Sequence, residues 1–171
     1  RHGMTIGELA RLFNEHFGIG ADLEVVAMRG WERTMFHDDT RVPWVLPSPN
    51  LPTLESAVVY PGTVLFEGTS VSEGRGTTHP FRAVLAPSLD GARLAAEIAG
   101  WRHALRVNPV RISPSRGKFA GQSCGGVTLE LTGKIEPLAF GVRLLHWLKH
   151  NAADFAWRKE RIMATRDGAT F

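Results

Sequence analysis

The run Phe66-Glu67-Gly68-Thr69-Ser70-Val71-Ser72-Glu73-Gly74-Arg75-Gly76-Thr77-Thr78 sets two carboxylates, one guanidinium and five hydroxyls among three glycines. Glu67 and Glu73 are the types that act as acid, base or nucleophile beside a sugar ring. Arg75 brings a planar fork of donors suited to a carboxylate or phosphate. The glycines let the backbone take positive φ and approach a ligand closely. The plain structural alternative is a turn-rich loop whose Glu and Arg pair with each other and whose hydroxyls cap a nearby helix. Offering so little apolar surface, the loop is expected on the protein surface, facing an open cleft.

A second polar group sits on a stiff backbone. In Trp44-Val45-Leu46-Pro47-Ser48-Pro49-Asn50-Leu51-Pro52, three prolines within six residues forbid a helix and fix an elbow. Ser48 and Asn50 could read sugar hydroxyls there while Trp44 packs on a sugar face, or the elbow could be a connection with Trp44 in the core. If it serves the same site, Ser48 and Asn50 must lie close to the Glu67–Arg75 loop. His79 adjoins that loop, and His146 and His150 stand four apart on a helix, the spacing of two metal ligands on one face. The intervening Trp147, Leu148 and Lys149 lack the Glu of a His-Glu-x-x-His motif, so no metal site is assigned. Cys124 is the one cysteine, which excludes an internal disulfide and a cysteine-based metal cage. It reads as a small buried residue rather than a nucleophile.

Composition bounds the class. At 171 residues, 43% hydrophobic and 22% charged, the chain is an ordinary globular protein with no run near the ~20 apolar residues of a membrane span. A net charge of +3 mildly favours an acidic partner. The positive charges are scattered, and Arg158-Lys159-Glu160-Arg161 is the only loose basic cluster, so nucleic acid is not expected as a partner. No Walker loop follows Gly74-Arg75-Gly76, and a nucleotide is not expected either. The opening Arg1-His2-Gly3 leaves no room for a leader, so localisation is unreadable and the chain looks like a piece of a longer protein.

The elements that must position these groups follow from caps and periodicity. Thr5 and Glu8 form a capping box ahead of Leu9, Leu12, Phe13 and Phe17 at helical spacing, with Gly18 as the stop. Leu23–Met28 reads as a strand, and residues 32–43 as irregular. Thr53 caps a short helix to about Tyr60, interrupted by Pro61-Gly62, and a second turn from Thr63 to Phe66 delivers the chain into the loop. Strands are expected at Phe81–Leu85, Leu105–Ile112 and Gly126–Leu131, and helices at Asp90–Ala99 and Glu136–His150. No structure is assigned to Asp154–Phe171. Without a regular βαβ period the class is α+β, a mixed β-sheet flanked by helices.

Several blocks together carry a family resemblance. They are Arg1 to Ala10, Gly30-Trp31, Trp44 to Asn50 with Pro52-Thr53, Tyr60-Pro61-Gly62, Glu67-Gly68-Thr69 through Ser72 to Thr77, and Pro80-Phe81. Lys118-Phe119-Ala120-Gly121 and Cys124-Gly125-Gly126-Val127 extend them. Their order and spacing resemble the bacterial exo-β-N-acetylmuramidases of the NamZ type, formerly a domain-of-unknown-function family, over about residues 1–150.

The resemblance implies a glycoside hydrolase that releases N-acetylmuramic acid from the non-reducing ends of peptidoglycan. Its active site lies between an amino-terminal Rossmann-like domain and a carboxy-terminal α+β domain. Residues 1–153 are then the carboxy-terminal domain, the partnering Rossmann-like domain is absent, and residues 154–171 are a truncated or divergent tail in which Met163–Phe171 departs from the family pattern. Glu73 and Glu67 are the implied catalytic carboxylates. Arg75, Ser48, Asn50, Ser72 and Thr77 are the implied contacts to a muramic-acid glycoside. No cofactor or metal is needed for glycoside hydrolysis. The alternative is a non-catalytic module that binds an anionic sugar or serves structurally.

Overall fold

The computed structural model describes residues 3–158. The chain divides into two units at the Val45–Leu46 junction, where the sequence reading carries a single domain over residues 1–153.

In the first unit, α1 (Ile6–His16) begins as its capping box requires. The Thr5 amide donates to Glu8 Oε2 at 2.8 Å, and the Glu8 amide donates to Thr5 Oγ1 at 3.2 Å. Arg33 pairs with Glu8, and Asn14 brackets Ala21 through both of its amide atoms. The helix is amphipathic, yet none of its residues is buried. Leu23–Met28 is extended but forms no strand, a correction to the sequence reading: the apolar pattern is present, but among the described residues no neighbouring chain takes up its backbone hydrogen bonds. One 3₁₀ turn, His37–Thr40, interrupts the irregular stretch after it.

The second unit holds the α+β core. Its sheet comprises β1 (Ala83–Ala86), β2 (Leu105–Ile112) and β3 (Cys124–Leu131) in the order β1-β3-β2, antiparallel throughout rather than mixed. Central β3 is buried along most of its length, whereas β2 alternates toward solvent as an edge strand does. That edge position explains why Pro109 is tolerated in β2. Helix α3 (Gly91–Ala99) starts on the Asp90 carboxylate, which accepts from the amides of Ala92 and Arg93, and buries Leu94 and Ile98. Phe66, Val71, Phe81, Val84, Val127, Leu129, Leu144 and Leu148 join them in one core.

Helix α2 (Leu54–Thr63) is capped by Thr53 as expected but is not stopped by Pro61. The helix runs on to Thr63, and its last turn tightens into a 3₁₀ segment, Val64–Gly68, that carries Glu67. The missing proline N–H falls near the helix end, where one lost bond is tolerated more readily than in the middle. Packing also holds this end in place, because α2 crosses α4 (Pro137–Asn151) at a pair of glycines. A Cβ built on Gly141 would stand 2.4 Å from the Gly62 Cα, and one on Gly62 would stand 2.0 Å from the Pro137 carbonyl oxygen.

The 154–171 tail is ordered at its start. Ser70 donates its amide to the Ala156 carbonyl at 2.8 Å, Arg158 donates its amide to Gly68 at 2.9 Å, and Thr69 pairs with Trp157 as an antiparallel bridge. Met163–Phe171 lies outside the described residues. No helix among the described residues is long and apolar enough to cross a membrane.

The glycine crossing gives a direct test. Alanine at position 141 gains about 1 kcal/mol of helix propensity over glycine, but its Cβ meets backbone atoms that cannot rotate away. Overpacking of this kind costs about 1–3 kcal/mol, so Gly141→Ala is expected to lower the unfolding midpoint in denaturant. An unchanged or raised midpoint would show that the helices separate without cost.

Candidate functional site

The loop after the 3₁₀ segment is built onto the sheet edge. Ser72 exchanges two backbone hydrogen bonds with Leu85 of β1, at 2.8 and 3.0 Å, so the loop begins as a short continuation of the sheet. Gly74 then turns the chain at a φ of 86°, where an added Cβ would lie 2.4 Å from the His79 carbonyl oxygen. Only glycine fits both the conformation and the space. The Phe81 amide returns to the Glu73 carbonyl at 2.7 Å and closes the turn.

This geometry buries Glu73, which is 3% exposed, and the expectation of an exposed loop fails for it. Burying a carboxylate is costly unless it is paired, and this one is paired twice. Arg75 Nε lies 3.2 Å from Oε1, and Lys118 Nζ lies 3.2 Å from Oε2. Lys118 also donates to the carbonyls of Phe66 at 2.8 Å and Val71 at 2.9 Å, with a longer contact of 3.4 Å to that of Glu67. One ammonium thus grips the end of the 3₁₀ segment, the start of the loop and the buried carboxylate. Burial pushes the Lys118 ammonium below the ordinary lysine range, and the neighbouring Glu73 carboxylate pulls it back up in part.

Arg75 is held on three sides. Its Nε is on Glu73, its Nη2 is on Glu67, and its guanidinium carbon sits 4.8 Å from the centre of the Phe81 ring. Tyr60 meets the same ring edge-on at 4.8 Å. Phe81 is buried and has a φ of 60°, a strained conformation for a bulky residue. Glu67 and Arg75 keep side-chain exposures of 41% and 39%, so this end of the cluster meets solvent.

The remaining residues singled out in the sequence fare differently. Ser72 is buried, and its hydroxyl accepts the Gly74 amide at 3.2 Å. Thr77 donates to the Gly74 carbonyl at 2.7 Å and accepts the His79 amide at 2.9 Å. Both hydroxyls are occupied within the loop. Ser48 accepts the Asn50 amide at 3.2 Å within its own elbow, and among the described residues no hydrogen bond joins Ser48 or Asn50 to the loop. Trp44 packs edge-on against His37, 5.0 Å between rings. The His146 and His150 rings lie 4.5 Å apart, with no third ligand-type side chain beside them among the described residues. Of the loop, Ser70 and Val71 line a small hollow of about 200 Å³ with Phe119 and Phe155; Glu67, Glu73 and Arg75 do not.

Sequence reasoning missed Lys118 and Phe81 as members of the site. The signal was present for Lys118, in a glycine-flanked block between β2 and β3, but nothing local links it to a carboxylate 45 residues earlier. Removing one partner of a buried ion pair costs about 3–5 kcal/mol. Lys118→Met is therefore expected to lower stability on that order, well beyond loss of the exposed Arg106–Glu130 pair, and unfolding of the two variants compares them. The pH dependence has a definite sign. With the folded-state value lowered, the unfolded chain binds more protons between that value and the ordinary 10.5, so the Lys118 contribution to stability rises with pH across this window. Lys118→Met should lack that rise.

Comparison with known proteins fits this arrangement into a family. Residues 58–169 match the family model for the exo-β-N-acetylmuramidase NamZ carboxy-terminal domain, and residues 1–55 match that for its amino-terminal domain. The first match extends into the tail that the sequence reading sets apart. The second covers residues that reading assigns to the carboxy-terminal domain. The chain is 47% identical over 148 residues to the peptidoglycan β-N-acetylmuramidase NamZ of Bacillus subtilis, a match covering 85% of this chain and 36% of that protein. It thus spans little more than a third of its relative's length. A DUF1343 family protein from Bacteroides fragilis shares the fold, with a TM-score of 0.74 at 24% identity over 87% of this chain and 41% of that one. On the match over residues 58–169 and the identity to the Bacillus protein, this chain belongs to the NamZ exo-β-N-acetylmuramidase family.

Proposed function

We propose that this chain contributes one face of the active-site cleft of a peptidoglycan hydrolase that releases N-acetylmuramic acid from non-reducing glycan ends. The observation that carries the reading is the cluster in which Glu67 at the end of the 3₁₀ segment, Glu73 and Arg75 on the loop fixed to the sheet edge, and Lys118 from the β2–β3 connection come together. N-acetylmuramic acid differs from N-acetylglucosamine by a lactyl ether bearing a carboxylate. A guanidinium clamped through Nε and stacked on Phe81 presents its remaining donors in a fixed plane, the arrangement suited to bidentate carboxylate recognition. Arg75 therefore reads the lactyl group, Glu67 at the solvent-facing end supplies carboxylate chemistry or a sugar-hydroxyl contact on this face, and buried Glu73 holds the arginine in place. Ser48 and Asn50 on the proline elbow add sugar-hydroxyl contacts in this reading, although among the described residues no hydrogen bond ties them to the loop.

A second reading has an observation in its favour. Both carboxylates are tied to cations, as a recognition or bracing cluster with no chemistry of its own would be. The two readings separate on the substrate. In a complete enzyme carrying this domain, Arg75→Ala is expected to lower kcat/KM on muramic-acid glycosides by roughly 30- to 1000-fold, from about 2–4 kcal/mol of lost charge-assisted contact. N-acetylglucosamine substrates should be hurt far less, and Arg75→Lys should recover only part of the loss. Equal losses on both sugars with a lowered melting point would assign Arg75 to bracing alone.

Glycosidases normally place two carboxyl groups facing each other across the sugar. Here both glutamates share one loop and one arginine. The isolated chain is therefore expected to turn over a chromogenic muramic-acid glycoside little or not at all. Robust turnover would place the whole catalytic apparatus within these residues.

A further inference from the structure

We infer that Glu67 is a built-in stand-in for the ligand carboxylate: it occupies the exposed edge of the Arg75 guanidinium and is displaced when an acidic sugar binds. The inference rests on the reading of Arg75 given above and goes further, assigning the two glutamates different jobs.

The geometry separates them. Glu73 holds Arg75 from behind, through Nε, and is itself buried and anchored by Lys118. A ligand cannot reach it without dismantling the loop. Glu67 contacts Nη2 on the side that meets solvent, with a side chain 41% exposed at the end of a 3₁₀ segment. The face of the guanidinium is covered by Phe81. The Nη edge is thus where an incoming carboxylate can dock, and another carboxylate already sits there.

Charge makes the exchange selective. In direct contact within the resting cluster, the anions Glu67 and Glu73 face the cations Arg75 and Lys118, and the Arg158 charge acts on Lys118 as well. A carboxylate arriving at the Nη edge of Arg75 meets Glu67 on the same donors, and like charges sharing a site repel. The anion free to leave is the exposed one. The Glu67–Arg75 pair is half-exposed and open to screening by water, and surface ion pairs are worth only about 0.2–1 kcal/mol, so the resting contact yields to a ligand that adds its own sugar contacts. A neutral sugar lacks the anion that evicts Glu67, and the stand-in then excludes it from the arginine. Glu73 is accordingly a positioning residue, and Glu67 sets specificity.

The test is binding to this chain, followed by calorimetry or NMR titration, with N-acetylmuramic acid as the probe and N-acetylglucosamine as the lactyl-free control. Glu67→Gln removes the competing anion and is expected to tighten N-acetylmuramic acid binding about two- to fivefold, the upper part of what a 0.2–1 kcal/mol competitor allows. Glu67→Asp keeps the charge but draws it back by one methylene, and should give a smaller gain. Arg75→Ala should abolish preference for the acid over the control. Glu130→Gln removes a remote surface carboxylate and should change nothing, which excludes a general charge effect. Unchanged or weaker binding by Glu67→Gln, with Arg75→Ala still destructive, overturns the stand-in and leaves the Arg75 reading standing. Indifference to Arg75→Ala, or no preference for the acid in the parent chain, overturns both.

Discussion

The site depends on one half-buried ammonium. Lys118 reaches from the connection between β2 and β3 to the carbonyls of Phe66 and Val71 and to the Glu73 carboxylate. The segment from Phe66 to Val71 pairs with the Ala156–Arg158 stretch through Gly68, Thr69 and Ser70, and its remaining polar backbone groups need partners once water is excluded. Lys118 caps the carbonyls at both ends of the segment, Phe66 and Val71, from a single point, and the Ser72–Leu85 bridge fixes the next residue. With the loop backbone set, Glu73 has one place to go, and Arg75 follows from Glu73. Desolvation disfavours the charged lysine, and the Glu73 carboxylate within hydrogen-bond reach offsets this only in part.

Two carboxylates on one arginine would be redundant if their surroundings matched. They do not. Glu73 sits in the core boundary with both oxygens bound to cations, whereas Glu67 stands at the rim with solvent beside it. Buried pairs are costly to break and exposed pairs are cheap. The same cluster therefore has a buried half, in which Glu73 holds Arg75, and a rim half, in which Glu67 meets solvent.

What was legible in the sequence was local. Thr5 with Glu8 and Thr53 each announced a helix start through a side chain reaching three residues onward, and each did so in the structure. The β2 span followed from its own pattern. Leu23–Met28 shows the limit of such signals, since β-propensity expresses a fit to neighbouring strands that the pattern alone cannot provide. Pro61 failed as a stop because packing of Gly62 on α4 holds the helix end against the lost hydrogen bond. In the site, the Glu67–Arg75 chemistry was visible because its members are eight residues apart. The burial of Glu73 was not, because its second cation comes from Lys118, across the sheet.

Strain at Phe81 ties these levels together. A buried aromatic residue at a φ of 60° is unfavourable by about 1–3 kcal/mol and persists only where its surroundings over-determine it. Here its amide is bound to the Glu73 carbonyl, and its ring lies between the Tyr60 edge and the Arg75 guanidinium. Relaxing Phe81 would release the backbone of the residue that anchors Arg75 and remove the surface on which the guanidinium rests. The strain and the ion pairs are thus mutually supporting. Folding of the core, which buries Phe81, thus also sets the loop geometry that holds the Arg75 guanidinium.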